Sequence, residues 1–450
     1  MSIFKRILGI QKPSAKVFVL SLDGLGLSMM ERLAPSMPTL NKLLHNGAIA
    51  SLLCPLPLEG QVAWASFATG QNPGKHGVFG LVDRVENPFS TFITSSQELK
   101  SPTIWEILSR HNKFMGVMNV PLSYPPLPVN GFMVGCSLTP ELDLAQATYP
   151  VDMAPRLLEL DYRIEANNML ALEDPEAFLA DLIAAMRNRF NAARQLMQSE
   201  PWDYWQLHDL TFDRLHRFFY IQENQDQALA SACEMVYKKI DTCLVELLSH
   251  LPSECQLIIA STHGFSKCRA TFMLNYWLEQ NGYLLFSQNR KSIENIHQNT
   301  RAYSLAPGRI YINLQGREEM GRVPRGQAYE ELRDELIHRL QSLSLPNSQE
   351  PVFNAIYKRE QLYAGPETKH APDLIAQPGP GFDLRANMNA QALWQEPMQA
   401  GLPLPADGFI YVNGMQTIST DAMSIMDLAP TALNLLGIEI APDMDGQNRL

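Results

Sequence analysis

The chain has 450 residues, 46% of them hydrophobic and 18% charged, which is an ordinary composition for a soluble globular protein of enzyme size. Its formal net charge of −11 argues against a nucleic-acid backbone as the main partner and would not favour an acidic membrane surface. The length predicts one large domain with insertions or two to three lobes. No run reaches the roughly 18 apolar residues that a membrane span needs.

The N-terminus and the cysteines bear on location. The segment 1–15 mixes Lys5 and Arg6 with apolar residues, but its apolar stretch is too short and interrupted for a signal peptide. It is either a frayed amphipathic turn or a small helix that docks on a partner or membrane surface. The six cysteines lack metal-site spacing and are typical of buried thiols in a reducing compartment, which predicts a cytoplasmic protein.

Strands and helices alternate along the first 267 residues. "KVFVLSLDGLG" at 16–26 predicts a strand, and one helical pattern runs on to Gly47. Further strands are predicted in 48–60, 114–121, 131–137, 203–210 and 256–264, with a helix over 61–77 that is broken at Asn72-Pro73-Gly74. Amphipathic helices are predicted over 176–200 and from Gln222 to His250.

The character of the chain changes after Cys268. Short strands at 308–314 and 372–377 flank a helix over 329–343, and the chain ends with a strand at 408–414 and a helix that stops at Gly437. We therefore predict a mostly parallel sheet with helices on both faces. The predicted division is an extension (1–15), a core (16–267 with 401–450) and an inserted cap lobe (268–400).

Two polar residues follow apolar strands, at the rim where open α/β sheets place their sites. Asp23 ends the first strand, although an Asp-Gly pair is also a common turn. His263 ends the stretch "LIIASTHGF" at 257–265, where its neighbour is Thr262 and not a carboxylate.

Ten motifs in order resemble the type I phosphodiesterase / nucleotide pyrophosphatase family of the alkaline phosphatase superfamily. They are "LSLDGLG", "MPTLNKLLHNGAIASL", "AWASFATGQNPGKHGVFG", "TFDRLHRFF", "ASTHGF", "GRIYINLQGREEMGRV", "IYKREQLYAGP", "APDLIA", "DGFIYVNG" and "SIMDLAPTALNLLGIEIAPDMDG". The resemblance runs from about residue 16 to the C-terminus and implies an alkaline-phosphatase-like fold. It also implies two metal ions, usually zinc, that clamp the attacking and leaving oxygens of phosphoryl transfer.

Three of the seven family site positions keep their residue type. By the resemblance, Asp23, Asp213 and His263 are remnant metal ligands. The nucleophile lies four residues before Trp64 in the family pattern, and that position is Gly60, which has no side chain.

Three ligand positions are also replaced. Thr262 stands for the acid of an Asp-His pair, Arg217 for the His that follows Asp213, and Leu404 for the last His. The remaining donors predict no cofactor; the alternative is one weakly bound divalent metal (Zn, Mn or Mg).

Local substitution remains an alternative. Glu59 beside Gly60, and His208 with Asp209 upstream of Asp213, are candidate replacements for the lost ligands. Ordinary solvated or paired polar residues are the competing interpretation.

Arg217 is the most informative replacement, because a guanidinium offers donors only and would repel a bound zinc. We hypothesise that it supplies the lost metal charge by pairing with Asp213 or Asp23. The prediction is a pseudoenzyme site in a binding, scaffold or regulatory protein, whose partner is an unknown protein or a small phosphate-containing ligand. The alternative is a metal-dependent phosphodiesterase or phosphatase with a rearranged site.

Other matched residues have milder interpretations. Lys75 and His76 are expected to shape a loop, and three C-terminal carboxylates are expected to be structural, namely Asp427, Asp443 and Asp445. The segment "GREEMG" at 316–321 either faces a ligand or forms a solvated hairpin.

Overall fold

The computed structural model describes residues 16–85, 90–220, 227–346, 348–414 and 422–449, so the prediction for segment 1–15 lies outside the described residues. The strands are β1 Lys16–Leu22, β2 Gly47–Leu53, β3 Val82–Val85, β4 Ser90–Ile93, β5 Met115–Met118, β6 Gly131–Val134, β7 Thr148–Tyr149, β8 Tyr204–Asp209, β9 Cys255–Ser261, β10 Gly264–Lys267, β11 Ala270–Met273, β12 Ala302–Ala306, β13 Arg309–Ile312, β14 Phe353–Lys358, β15 Leu374–Pro378, β16 Phe382–Arg385, β17 Trp394–Gln395, β18 Gly401–Leu404, β19 Phe409–Asn413 and β20 Met423–Ser424. The helices are α1 Leu27–Leu33, α2 Pro38–His45, α3 Gly60–Thr69, α4 Pro73–His76, α5 Ile104–Arg110, α6 Leu144–Ala147, α7 Met153–Glu159, α8 Leu170–Glu173, α9 Pro175–Ser199, α10 Thr211–Phe219, α11 Gln227–Leu248, α12 Leu274–Gln280, α13 Gln327–Gln341, α14 Arg359–Leu362 and α15 Leu428–Leu435.

A nine-stranded sheet forms the centre, with the order β20-β2-β19-β9-β1-β8-β5-β6-β7. Its middle strands β9, β1, β8, β5 and β6 are mutually parallel, whereas β19 runs antiparallel to both of its neighbours and β7 runs antiparallel to β6. The predicted mostly parallel sheet is confirmed.

The first strand shows why the sheet is covered on both faces. Phe18, Leu20 and Leu22 pack into one apolar cluster, while Val17 and Val19 pack into another on the opposite face. Helices α9 and α11 supply residues to the first cluster, and α3, α5 and α15 supply residues to the second. Burial of alternate residues on both faces explains the near-continuous apolar run of β1.

The chain between β10 and β18 forms a second system of sheets. Strands β12, β13, β15 and β14 form an antiparallel sheet. Strands β16, β11 and β17 form a mixed sheet, in which β11 runs parallel to β16 and antiparallel to β17. Both sheets pack with α12 and α13 around their own apolar cluster. Strands β10 and β18 pair antiparallel, so the chain enters and leaves this lobe at adjacent points on the rim of the core.

One helix prediction needs correction. The single helical pattern that ends at Gly47 forms two helices, α1 and α2, because Pro35 and Pro38 lack the backbone N–H that a continuous helix requires. The helix predicted from Gln222 is described from Gln227, since 221–226 lie outside the described residues. Among the helices described, none combines the length and apolar character needed to cross a bilayer.

Candidate functional site

The predicted site residues meet at the carboxyl edge of three parallel strands. Asp23 follows β1, Asp213 lies in the first turn of α10 after β8, and Thr262 with His263 follows β9. Gly24, with a φ of +92°, lets the chain after β1 lie against the backbone of Asp213, where a Cβ would come within 2.4 Å of the Asp213 nitrogen.

Asp23 is buried and both of its carboxylate oxygens accept hydrogen bonds. Trp64 Nε1 on α3 donates to Oδ2 at 2.8 Å, and the backbone N–H of Thr262 donates to Oδ1 at 2.9 Å. The carboxylate therefore ties α3 and the end of β9 to β1.

Asp213 is held by two arginines of its own helix. Arg214 Nη1 donates to Oδ1 at 2.6 Å, and Arg217 Nη2 donates to Oδ2 at 2.8 Å. Burial alone would raise the pKa of Asp213, but Arg217, Arg214 and His263 together hold that pKa well below its usual range. Asp213 is thus an ionised carboxylate whose countercharges come from the protein.

His263 bridges Asp213 and Thr262. Its Nε2 lies 3.2 Å from Asp213 Oδ2, and its Nδ1 lies 2.9 Å from Thr262 Oγ1. Because an ionised carboxylate only accepts, we assign the proton to Nε2, and Nδ1 then accepts from the threonine hydroxyl.

Gly60 and Leu404 sit at the margins of the same edge. Gly60 begins α3, the helix that carries Trp64, and a Cβ there would meet only Pro121, at 3.7 Å from its Cγ. Leu404 ends β18 and pairs with Gly264, the residue after His263. All seven predicted positions are accordingly brought to one end of the sheet.

The chain matches the family model for type I phosphodiesterase / nucleotide pyrophosphatase over residues 17–401. The chain belongs to this family. A search among curated proteins gave no significant match.

Solved structures show the same fold at low sequence identity. Phosphonoacetate hydrolase from Sinorhizobium meliloti, in complex with phosphonoformate, superimposes with a TM-score of 0.64 at 15% identity, over 94% of this chain and 96% of that chain. An inactive form of murine ectonucleotide pyrophosphatase / phosphodiesterase 5 in complex with AMP gives a TM-score of 0.57 at 15% identity, over 97% of each chain. These similarities confirm the alkaline-phosphatase-like fold.

The donors at this edge do not fit the two-zinc site that the family resemblance implies. Gly60 and Leu404 offer no ligand atom, and the guanidinium of Arg217 lies on Asp213 where a cation would bind. Within the described part of the chain, no group of three or more His, Cys, Asp or Glu side chains is arranged to hold a metal ion.

The candidate replacements have other partners. Glu59 accepts from the Leu81 N–H at 2.6 Å and lies 3.4 Å from Arg309 Nη2, while Asp209 pairs with Arg189. His208 bonds to Ser21 Oγ, and burial lowers its pKa. Its Nε2 is 3.8 Å from Asp23 Oδ2, which is outside hydrogen-bond range.

His216 points away from the edge, as its place on the helix predicts. Its Nδ1 donates to the Gly24 carbonyl at 2.9 Å and its Nε2 accepts from the Tyr237 hydroxyl at 2.9 Å. Burial lowers the pKa of His216 to about 4, so it is a neutral packing residue.

Sequence reasoning missed two participants. Trp64 marks the nucleophile position in the sequence pattern, and in the structure it also donates to Asp23. Arg214 is not part of the family pattern, and it bridges Asp213 and Glu165. The signal for Arg214 was its place directly after Asp213, where it adds a second cation.

The remaining matched motifs are structural. Lys75 pairs with Asp445 at 2.5 Å, and Gln71 Nε2 donates to Asp443 at 2.9 Å, which fixes the C-terminal segment to the turn after α3. Buried His76 bonds to Ser66, and Asp427 accepts from Arg449. In the "GREEMG" segment, Glu318 is buried against Arg84 at 2.6 Å, whereas Glu319 and Met320 are exposed.

Proposed function

We propose that this family member no longer performs metal-dependent phosphoryl transfer and acts as a binding, scaffold or regulatory protein. The observation that carries the proposal is the pairing of Arg217 with Asp213. The guanidinium makes one charge-assisted contact at 2.8 Å, from Nη2 to Oδ2, and a longer one at 3.3 Å, from Nε to Oδ1. It thereby supplies positive charge to the carboxylate that the family pattern assigns to a metal.

The losses act together, which is why a partly working site is disfavoured. Gly60 supplies no nucleophile, and Leu404 has a hydrocarbon side chain where the family pattern has an imidazole. The Thr262 hydroxyl is hydrogen-bonded to His263. Catalytic groups that work as a unit leave little activity when several are removed at once. We propose that no resident cofactor is bound.

The decisive experiment restores the family pattern. Purified wild-type protein is assayed for bound zinc, manganese and iron, and for turnover of an aryl phosphodiester with added metals. The fourfold variant Gly60→Thr, Thr262→Asp, Arg217→His, Leu404→His is assayed beside it; Gly60 has room for a side chain.

We expect zinc binding and turnover only in the restored variant. Stoichiometric metal in the wild type, together with turnover that is lost in Asp23→Ala, would contradict the proposal and favour the rearranged hydrolase.

We also propose a cytoplasmic location. The six cysteines all lie in described residues. All six are free thiols, and five of them are buried. Unpaired thiols in this number are typical of a reducing compartment. Localisation of a tagged full-length chain would test this.

A further inference from the structure

A surface pocket of about 360 Å³ lies beside the Arg217 side of the site. It is bounded by the end of α10, by α8 and by the segment that leads into β18. Its lining includes Leu172, Phe218, Tyr220, Lys267, Met398 and Gln399. The volume is at the small end of the range of roughly 300–1,000 Å³ that ligand pockets occupy.

Several apolar side chains around the pocket are exposed to water. Leu172 is 75% exposed and Met398 is 63% exposed, and both line the pocket with Phe218 and Tyr220. Single exposed apolar residues are common, but several around one concavity indicate a surface that a ligand covers.

One cation borders this apolar surface. Lys267 is exposed, and among the described residues it has no ion-pair partner, while the described lining contains no carboxylate. Arg217 reaches the wall of the pocket through its Nη1, which donates to the lining residue Gln399 at 3.3 Å, but its charge is already paired with Asp213, so Lys267 carries the positive charge of the lining. The electrostatics of the lining therefore favour an anion over a cation.

We infer that this pocket binds a small amphipathic organic anion. The hydrocarbon part packs among Leu172, Phe218, Tyr220 and Met398, and the carboxylate or phosphate pairs with Lys267. The inference deepens the proposed function, on which it rests: it gives the class of ligand that a binding protein with a disabled site would take.

Calorimetric titration of the full chain, treated with chelator, tests the inference with defined probes. The probes are octanoate and octyl phosphate, both below their micelle concentrations, with four contrasts: octan-1-ol, octylamine, inorganic phosphate and AMP. We expect saturable binding of the two amphipathic anions and at least about tenfold weaker binding of every contrast, since each lacks the charge, its sign or the apolar chain.

Variants locate the binding. Lys267→Met should weaken octanoate binding by about three- to tenfold without affecting octan-1-ol, because it removes one partly exposed charge. Met398→Ser should weaken both alkyl anions. Matched controls are Lys42→Met and Met235→Ser, at exposed positions outside the pocket, and these should bind octanoate as the wild type does.

Two results would overturn the inference: no saturable binding of octanoate and octyl phosphate, whether or not AMP binds, or equal binding of octan-1-ol and octanoate. Failure of the proposed function has a different signature, namely release of phosphate from octyl phosphate by zinc-loaded wild-type protein. Octanoate has no phosphate to lose, so its binding to metal-free protein tests the pocket independently of catalysis.

Discussion

Asp213 and Arg217 show how burial changes the contribution to folding stability of an acid–base pair spaced four residues apart on a helix. The same acid-to-base spacing of four residues occurs in Glu234 and Lys238 on α11, with N and O 2.9 Å apart. There the side chains are 49% and 60% exposed, whereas Asp213 is 4% exposed. An exposed pair contributes little, but a carboxylate buried without its partners is costly.

Asp213→Asn should therefore destabilise the protein strongly. The substitution leaves Arg214 and Arg217 facing a neutral amide, and we expect the free energy of unfolding to fall by about 3 kcal/mol. Urea denaturation measures it, with Glu234→Gln as the matched control that should leave the midpoint unchanged. Equal effects of the two substitutions would show that Asp213 is not a structural charge centre.

His216 predicts a pH dependence of stability. Its folded pKa of about 4 lies below the ordinary value of 6.5, so the unfolded chain binds a proton more readily than the folded chain. Stability should therefore fall as pH drops from about 6.5 to about 4, by at most about 1.4 kcal/mol per pH unit.

Urea midpoints at pH 7 and pH 5 check this for wild type and His216→Gln. The variant should lose less stability between the two pH values than the wild type loses. His250→Gln, at an exposed position, should keep the wild-type dependence. An unchanged dependence in His216→Gln would assign the effect to other groups.

The sequence predicted which residues lie at the site better than it predicted their hydrogen-bond partners. Asp213 and Arg217 are one helical turn apart, so their pairing followed from spacing. The bond from Trp64 to Asp23 joins residues 41 positions apart and depends on how α3 docks on the sheet. Local pattern carries no information about such a contact.

At the scale of elements, glycines let β10 approach α1. Asp407 accepts from the backbone N–H of Ser28 at 2.8 Å and from its hydroxyl at 2.7 Å, at the N-terminus of α1. A Cβ on Gly264 would lie 2.1 Å from Asp407 Oδ2, and one on Gly26 would lie 1.9 Å from the same atom. Small residues on both sides leave room for this carboxylate.

Gly264→Ala should consequently disrupt the rim, whereas Gly60→Ala should not. The first places a methyl group on a buried carboxylate and should cost about 2 kcal/mol of unfolding free energy or more. The second adds a methyl group 3.7 Å from Pro121 and should be neutral or slightly stabilising, since alanine is the better helix former.

Thermal denaturation of the two variants provides the comparison. Destabilisation by Gly60→Ala as large as by Gly264→Ala would contradict the open space at the start of α3. It would also weaken the design of the restored variant, which needs a threonine there.

Elements were predictable where periodicity was strong, as for β1, α9 and α11. The break between α1 and α2 was not predicted, because the apolar spacing continues across Pro35 and Pro38 and masks their effect on the backbone. The partners of the short strands were also beyond prediction. Strand β10 pairs with β18 across more than a hundred residues of intervening chain, and such pairing depends on tertiary packing.

At the scale of the whole molecule, buried charges join β3 to the sheet system that lies between β10 and β18 in the chain. Arg84 on β3 and Glu318 of the lobe are 1% and 2% exposed, with Nη1 and Oε1 2.6 Å apart. Glu318 also pairs with Arg317, which in turn binds Asp373 at 2.6 Å. Two arginines and two carboxylates thus form one buried network at this contact, and two of the four residues, Arg317 and Glu318, belong to the "GREEMG" motif.

Glu318→Gln should loosen the lobe from the core as well as lower stability. It leaves Arg84 and Arg317 without their shared carboxylate in a buried setting, so we expect a loss of about 3 kcal/mol in urea denaturation. Backbone hydrogen exchange should accelerate in β3, β12 and β13, because the free energy of opening this interface locally falls below that of global unfolding.

Glu350→Gln is the control, because Glu350 forms an exposed pair with Arg269 within the lobe, at 2.6 Å and with both side chains 39% exposed. It should leave exchange at β3 unchanged, since that pair is solvated and does not cross to the core. Uniform acceleration throughout the chain in Glu318→Gln would show that the carboxylate stabilises the fold globally. Acceleration confined to the two sides of the interface would show that the lobe is held to β3 by this buried network.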